Sequence, residues 1–382
     1  MTERYRIVIA GAGGMGQATG LLLRELGDFD VDLFLGDADA AKAREAAEWI
    51  CHESTRTGLV EPFHLPLEGS SEDFDRILGG AHILLDCLPG EQAVRMAGLA
   101  RSNSLHYANL TEYVEETNRI MEIARDAEQG FLLQTGLAPG YVNVLGNRLF
   151  QRFCREHGVD KAETLEMRVG ALTQTTREPH HYGFTWNPKG VATEYVKDAV
   201  VVRDFQTVTR PSLTDRRTVL IDGVLYEEAL TSGGAADLPS ALAGRVRNLD
   251  YKTFRYPGHY SWVQGLVDQL RSEGAPEAEL PSRLLDRMLE VTPLVEDDVV
   301  VVYAAVEGRD SRGALHRLES SRLIRPRKVG GHRLRAIQTT TSAGLAESAR
   351  LLLRDRPKGV YLQSQINPER FMDGPFVSAI YG

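Results

Sequence analysis

Apolar residues occur in short blocks separated by polar and glycine-rich turns from the start of the chain. Tyr5-Arg6-Ile7-Val8-Ile9-Ala10 is rich in β-branched residues, the composition of a strand buried on both faces. A glycine-rich turn follows, then residues 17–26, where Leu21, Leu22, Leu23 and Leu26 predict a helix. Residues 31–36 predict a second strand and 38–49 an alanine-rich helix. The alternation continues with strands at 82–88, 105–108 and 131–134 and helices near 91–101 and 115–128. Strands and helices alternating at this spacing predict a doubly wound parallel sheet, a Rossmann domain of α/β class over residues 1–138.

After Ala138-Pro139-Gly140 the pattern changes. Residues 140–157 predict one long helix. Strands follow at 163–172, 199–203, 218–221, 249–256, 299–307 and 334–341, with fewer helices between them. This predicts a second α+β domain over 139–341 with a mostly antiparallel sheet. Residues 342–354 predict a helix with Leu345, Ala349, Leu352 and Leu353 on one face, and the segment 342–382 is expected to pack back on the first domain. At 382 residues, two domains are also what chain length alone predicts.

Composition narrows the partners. A formal charge of −9 leaves no basic surface to displace counterions, so nucleic acid is not an expected partner. The basic stretch Arg322-Leu323-Ile324-Arg325-Pro326-Arg327-Lys328 reads as a solvated loop. The apolar run 299–306 is too short to span a bilayer, and Met1-Thr2-Glu3-Arg4 leads straight into a strand, so a cytoplasmic protein is expected. Cys51, Cys87 and Cys154 suit reduced thiols, and with no histidine at ligand spacing no metal is expected.

The first turn carries the chemistry. Gly11-Ala12-Gly13-Gly14-Met15-Gly16 gives G-x-G-x-x-G, a short pattern that gains weight from the strand before it and the helix after it. Gly11 permits the tight turn, Gly13 lets a pyrophosphate approach, and Gly16 lets helix and strand pack closely, with Gly14 and Met15 of the same turn expected among the cofactor contacts. Asp37, 21 residues past Gly16 at the end of the second strand, is placed to bind ribose hydroxyls and repel a 2′-phosphate. The cofactor expected is NAD, with NADP left open by Lys42 and Arg44. Cys87, Leu88, Pro89 and Asn109 follow the next strands and are expected beside the nicotinamide.

The remaining motifs carry a family resemblance. Leu230-Thr231-Ser232-Gly233-Gly234 and Leu249-Asp250-Tyr251-Lys252-Thr253-Phe254-Arg255-Tyr256-Pro257-Gly258-His259 resemble the saccharopine dehydrogenase family, which includes the lysine 6-dehydrogenases. Gly136-Leu137-Ala138-Pro139-Gly140-Tyr141-Val142-Asn143 and Trp186-Asn187-Pro188-Lys189-Gly190 extend the likeness nearly end to end. The resemblance implies an NAD(P)-dependent enzyme acting on a carbon–nitrogen bond of a lysine-like amino acid or opine. One departure is Asn109, where family members tend to carry aspartate, so no proton-transfer role is carried over to it. The alternatives are a polyamine-type dehydrogenase of the carboxynorspermidine-forming kind and a non-catalytic Rossmann protein that senses nicotinamide redox state. A homodimer is expected.

Within that reading, Arg255 suits an amino-acid carboxylate because its planar fork binds bidentately. His259 heads a helix, which favours a neutral ring able to accept an amine proton. Lys252 joins them as a catalytic candidate, although strand alternation sends Lys252 and Arg255 to opposite faces. Thr111, Trp186, Ser232, Gly233 and Arg255 are the expected substrate contacts. An ordinary ion pair is the competing reading of Arg255, a satisfied structural histidine that of His259, and a plain turn that of Ser232-Gly233.

Overall fold

The computed structural model describes residues 3–382. The chain forms two compact units, Met1–Tyr141 with Arg327–Leu334 and Gln338–Gly382, and Val142–Pro326 with Arg335–Ile337.

The first unit opens with β1 (Arg4–Ala10), α1 (Gly14–Leu26), β2 (Asp30–Asp37), α2 (Ala40–Glu53), β3 (Val60–His64) and α3 (Glu72–Gly79). β4 (Ile83–Asp86), α4 (Ala93–Ser102), β5 (His106–Asn109), α5 (Val114–Ala124) and β6 (Gly130–Leu132) follow. The second unit holds α6 (Tyr141–His157, from Val142 on), β7 (Ala162–Thr173), α7 (Pro188–Val196), β8 (Ala199–Arg203), β9 (Gln206–Arg210), β10 (Arg217–Ile221) and β11 (Val224–Leu230). It continues through α8 (Leu238–Ala241), β12 (Val246–Arg255), α9 (His259–Ser272), α10 (Leu280–Leu289), β13 (Asp298–Arg309) and β14 (Leu315–Ile324). The chain ends with β15 (Arg327–Val329), β16 (His332–Leu334), α11 (Ala336–Asp355), β17 (Gly359–Tyr361), α12 (Pro368–Met372) and α13 (Pro375–Tyr381).

The first sheet runs β17-β6-β5-β4-β1-β2-β3, and every pairing in it is parallel. This is the doubly wound sheet that the alternation predicts. Its order reverses between β1 and β4, and ligands of such sheets sit at the carboxyl ends beside that switch point. β17 adds a strand through Gly359 opposite Gly130, so the last segment of the chain belongs to this unit. β3 and α3 fall where the hydrophobic pattern predicts nothing, because Val60-Glu61-Pro62-Phe63-His64 has neither a clean alternation nor a continuous apolar run.

The second sheet runs β10-β11-β12-β7-β13-β14, with β8 attached to β12 and β9 to β8. Only β12 and β7 pair in parallel, so the sheet is mostly antiparallel, as expected. One face meets the cluster of Tyr182 and Phe184 with Val191 and Tyr195 of α7 and Tyr260 and Val263 of α9. On the other face Glu166 accepts from Arg217 of β10 (2.9 Å) and Arg317 of β14 (3.0 Å), so the two edge strands curl toward each other.

One expected strand is a helix instead. Residues 334–341 carry β-branched Ile337, Thr339, Thr340 and Thr341, which favour a strand reading, yet α11 starts at Ala336. The helix start is fixed from a distance: the buried Asp298 carboxylate accepts from the backbone N–H of Ala336 (2.8 Å) and Ile337 (2.7 Å). A cap supplied 38 residues earlier leaves no local signal.

Candidate functional site

The three glycines of the first turn have three separate reasons. Gly11 has φ +98°, and its N–H donates to Gly36 O (2.7 Å). A Cβ on Gly16 would lie 1.9 Å from Gly11 O, so that position must stay bare for α1 to reach β1. A Cβ on Gly13 would meet nothing within 4 Å. Packing therefore does not require glycine at 13. Gly13 is the N-cap of α1, no side chain caps the helix, and its first turn holds no acid. Uncapped N–H groups, a helix dipole and an open cradle fit a dinucleotide pyrophosphate.

Asp37 ends β2 beside this turn. Its Oδ2 accepts from Ala12 N (2.9 Å) and its Oδ1 from Asp39 N (3.1 Å), with Lys42 Nζ at 3.7 Å from Oδ2. The carboxylate thus steadies the glycine loop as well as charging the place where an adenosine ribose would lie.

At the switch point, Cys87 N donates to Ala10 O (2.8 Å), and Cys87 O stands 3.0 Å from where a Gly11 Cβ would be. Cys87, Leu88 and Pro89 therefore border the glycine loop. Burial pushes the Cys87 thiol up to about 12, so it stays neutral. Asn109 is fully buried; its Oδ1 accepts from Gln134 N (2.9 Å) and its O from Thr135 N (2.9 Å), so it pins β6 to β5. Its Nδ2 is buried without an aligned partner. Thr111 Oγ1 accepts weakly from Tyr113 N (3.4 Å) in the turn after β5. Two residues that pattern reasoning misses join this region. The Asp86 carboxylate, 2% exposed, accepts from Leu88 N (3.0 Å) and from the Tyr107 hydroxyl (2.8 Å). Burial pushes it up to about 7. The available signal was an acid closing the apolar strand Ile83-Leu84-Leu85.

In the second unit, Arg255 and His259 come together and Lys252 does not join them. Lys252 Nζ binds Glu228 Oε1 (3.1 Å) and Asp215 O (2.5 Å) among the ion pairs of the opposite sheet face. Burial lowers it below the ordinary lysine value. Arg255, 1% exposed, donates to Tyr195 Oη (2.6 Å), Glu194 Oε1 (2.8 Å) and Phe254 O (2.9 Å), and its guanidinium stacks over the Tyr182 and Tyr195 rings. Three of its five N–H donors are engaged, and the pairing with Glu194 accords with the ion-pair reading. His259 is fully buried, with Nε2 3.0 Å from Tyr195 Oη and Nδ1 3.1 Å from His180 O. Burial, reinforced by Arg255, holds it well below the ordinary histidine value. The ring is neutral as expected, but burial rather than the helix terminus is the main cause. Tyr195 accepts from Arg255 and donates to His259, whose other nitrogen donates to His180 O. Both ring nitrogens of His259 are thus hydrogen-bonded.

The Ser232-Gly233-Gly234 turn is likewise engaged. Ser232 N donates to Glu194 O (3.0 Å), Gly233 has φ +85°, and Gly234 O accepts from Asn143 (2.9 Å). The Ser232 amide is therefore unavailable to a substrate carboxylate. Trp186 packs half-buried on the α7–α9 cluster. The group that the sequence reading missed is Glu194, on α7 between Val191 and Val196. Its side chain is 13% exposed, Arg255 holds one oxygen, and burial pushes it up to about 7 despite that pairing. A carboxylate that titrates near neutrality with one oxygen left over can exchange a proton with an amine.

Comparison with known proteins bears on both units. Residues 7–131 match the model of the saccharopine dehydrogenase NADP binding domain, and residues 136–375 that of the saccharopine dehydrogenase C-terminal domain. Among solved structures, the chain is similar to apo saccharopine dehydrogenase (L-Glu forming) from Saccharomyces cerevisiae, at 13% identity and TM-score 0.74, covering 99% of this chain and 98% of that one. It is also similar to a homospermidine synthase from Legionella pneumophila in complex with NAD, at 12% identity and TM-score 0.68, covering 99% and 90%. At these identities the structural likeness shows the fold. Among the described residues, no helix is long and apolar enough to cross a membrane.

Proposed function

For this chain, which belongs to the saccharopine dehydrogenase family of NAD(P)-binding oxidoreductases, we propose oxidation or formation of a carbon–nitrogen bond in a lysine-like amino acid or opine. The observation that carries the reading is the bare, uncapped N-terminus of α1 behind Gly13, where packing does not require glycine. The nicotinamide, when bound, supplies hydride acceptance or donation at carbon. Gly11, Gly13, Gly14, Met15 and Gly16 would hold its phosphates, and Asp37, whose charge opposes a 2′-phosphate, favours NAD over NADP. Cys87, Leu88, Pro89, Asn109 and Thr111 would line its nicotinamide end. The amine nitrogen releases a proton as its carbon gives up hydride, Glu194 is the candidate acceptor that the second unit offers for it, and water then hydrolyses the imine. In the reverse direction the same group returns the proton.

A second reading, a polyamine-type substrate, is favoured by one observation. With Arg255 held by Glu194, Tyr195 and the Phe254 carbonyl, the acid of this cluster is Glu194, and a carboxylate recognises a cationic amine and not a carboxylate. The neighbouring homospermidine synthase fold is compatible with that choice. Dinucleotide reduction over a panel of L-lysine, lysine-derived opines and polyamines decides between them. Turnover of lysine or an opine supports the first reading, turnover of polyamines alone supports the second, and a folded, dinucleotide-binding protein that turns over none of them contradicts both.

A further inference from the structure

The buried pair Asp86 and Tyr107 is larger than strand termination requires. Asp86 is the last residue of β4, and Tyr107 reaches it from β5. Its carboxylate holds Leu88 N–H (3.0 Å), which folds the turn of residues 87–89. That turn is tied back to β1 through Cys87 N and Ala10 O (2.8 Å), and its backbone touches Gly11. One carboxylate therefore steadies both the nicotinamide-side turn and the loop that cradles the phosphates.

The Tyr107 hydroxyl has two acceptors in reach, Asp86 Oδ2 at 2.8 Å and Ala93 O at 3.2 Å. With Asp86 ionised, the hydroxyl donates to the carboxylate. Once Asp86 takes up a proton, the hydroxyl can turn to Ala93 O and accept the new O–H from Asp86. Both states are hydrogen-bonded, so neither leaves a buried polar group orphaned. We propose that Asp86 and Tyr107 form a two-position proton switch beneath the turn of residues 87–89, and that its ionised state is the one that receives the dinucleotide firmly. The anion is the stronger acceptor for Leu88 N–H, so ionisation tightens the turn.

The groups facing Asp86 are few. Tyr107 faces it from β5, and the Cys87 thiol and Leu88 N–H from the turn. Thr19 of α1 reaches Cys87 and Ser342, α4 contributes the Ala93 carbonyl, and Asn109 acts on the Tyr107 hydroxyl. Burial drives Asp86 up to about 7, against the lowering pull of Leu88 N–H and Tyr107. The titration thus falls where a cell's pH can move it.

The inference rests on dinucleotide binding to the first unit, and the test separates the two. NAD affinity of the full chain is measured by calorimetry from mildly acid to mildly alkaline pH, without substrate. Wild-type affinity should climb with pH by up to ~10-fold per unit, the limit for one linked proton, and level off above neutrality. Asp86→Asn, whose amide still accepts from Leu88 N–H, should bind with no such slope. Tyr107→Phe should move the midpoint upward. An Asp86→Asn protein with the wild-type slope, or a flat wild-type profile, overturns the switch while leaving dinucleotide binding intact. No binding at any pH overturns the dinucleotide reading and the switch with it. Should Asp86→Asn fail to fold, Tyr107→Phe decides: an affinity profile whose midpoint moves upward supports the switch, and one whose midpoint stays at the wild-type value overturns it.

Discussion

Gly13→Val separates a glycine kept for the fold from one kept for a ligand. A Cβ at 13 meets nothing within 4 Å, and the position has φ −73°, which any residue adopts. The cost to folding is that of a poor N-cap, about 1 kcal/mol, or a melting shift of ~1–2 °C in a chain of this size. Binding is affected differently. The valine side chain fills the cradle and displaces a pyrophosphate from the first N–H groups of α1. Losing two charge-assisted hydrogen bonds at about 1.5–3 kcal/mol each weakens binding by roughly 10²–10⁴-fold. Gly16→Ala is the contrasting control, because its Cβ would sit 1.9 Å from Gly11 O and must push α1 off β1. That variant should lose stability and binding together. Melting curves beside calorimetric titration with NAD and NADP read out both. A folded Gly13→Val protein with wild-type affinity would refute the reasoning.

Asp37→Ala should raise KM for NAD and relax discrimination against NADP; a wild-type enzyme that already prefers NADP strongly contradicts the role given to Asp37. Arg255→Met should destabilise the protein by about 3–5 kcal/mol in chemical denaturation, because Glu194 is left enclosed beside an apolar stem. Selective loss of carboxylate-bearing substrates in a stable Arg255→Met protein would restore the clamp that the structure argues against. Burial pushes Glu347 from 4.5 up to about 7, so the folded chain keeps a proton that the unfolded chain sheds. Stability should therefore fall as pH rises through that window and level above it, and Glu347→Gln should flatten the fall in melts at stepped pH; an unchanged slope removes the assignment. Asp298→Ala should lower the melting temperature by uncapping α11, at a cost of ~0.5–2 kcal/mol, and a neutral result contradicts the distant cap.

Legibility in the sequence followed the range of each interaction. β1, the glycine turn and Asp37 lie within 34 residues and announce themselves through apolar run, glycine spacing and strand end. The parity that separates Lys252 from Arg255 is a property of one strand, and it was readable too. What the parity could not show is the partner. Arg255 looks like an open clamp until Glu194 and Tyr195, some 60 residues earlier, close around it, and Lys252 until Glu228 of β11 reaches it. Residues 336–341 are helical because Asp298 caps them, which no window around Thr339 contains. Glu194 was invisible for the same reason: a lone acid on α7 gains meaning only beside Arg255 of β12.

The central claim is that hydride leaves the carbon that bears nitrogen. It is tested most directly by supplying the amine found in the substrate panel with deuterium on that carbon alone, and analysing the dinucleotide by mass spectrometry. The account predicts one deuterium on each reduced nicotinamide and a slowed turnover if hydride transfer limits the rate. Reduced dinucleotide carrying no deuterium, formed at the unlabelled rate, would contradict it.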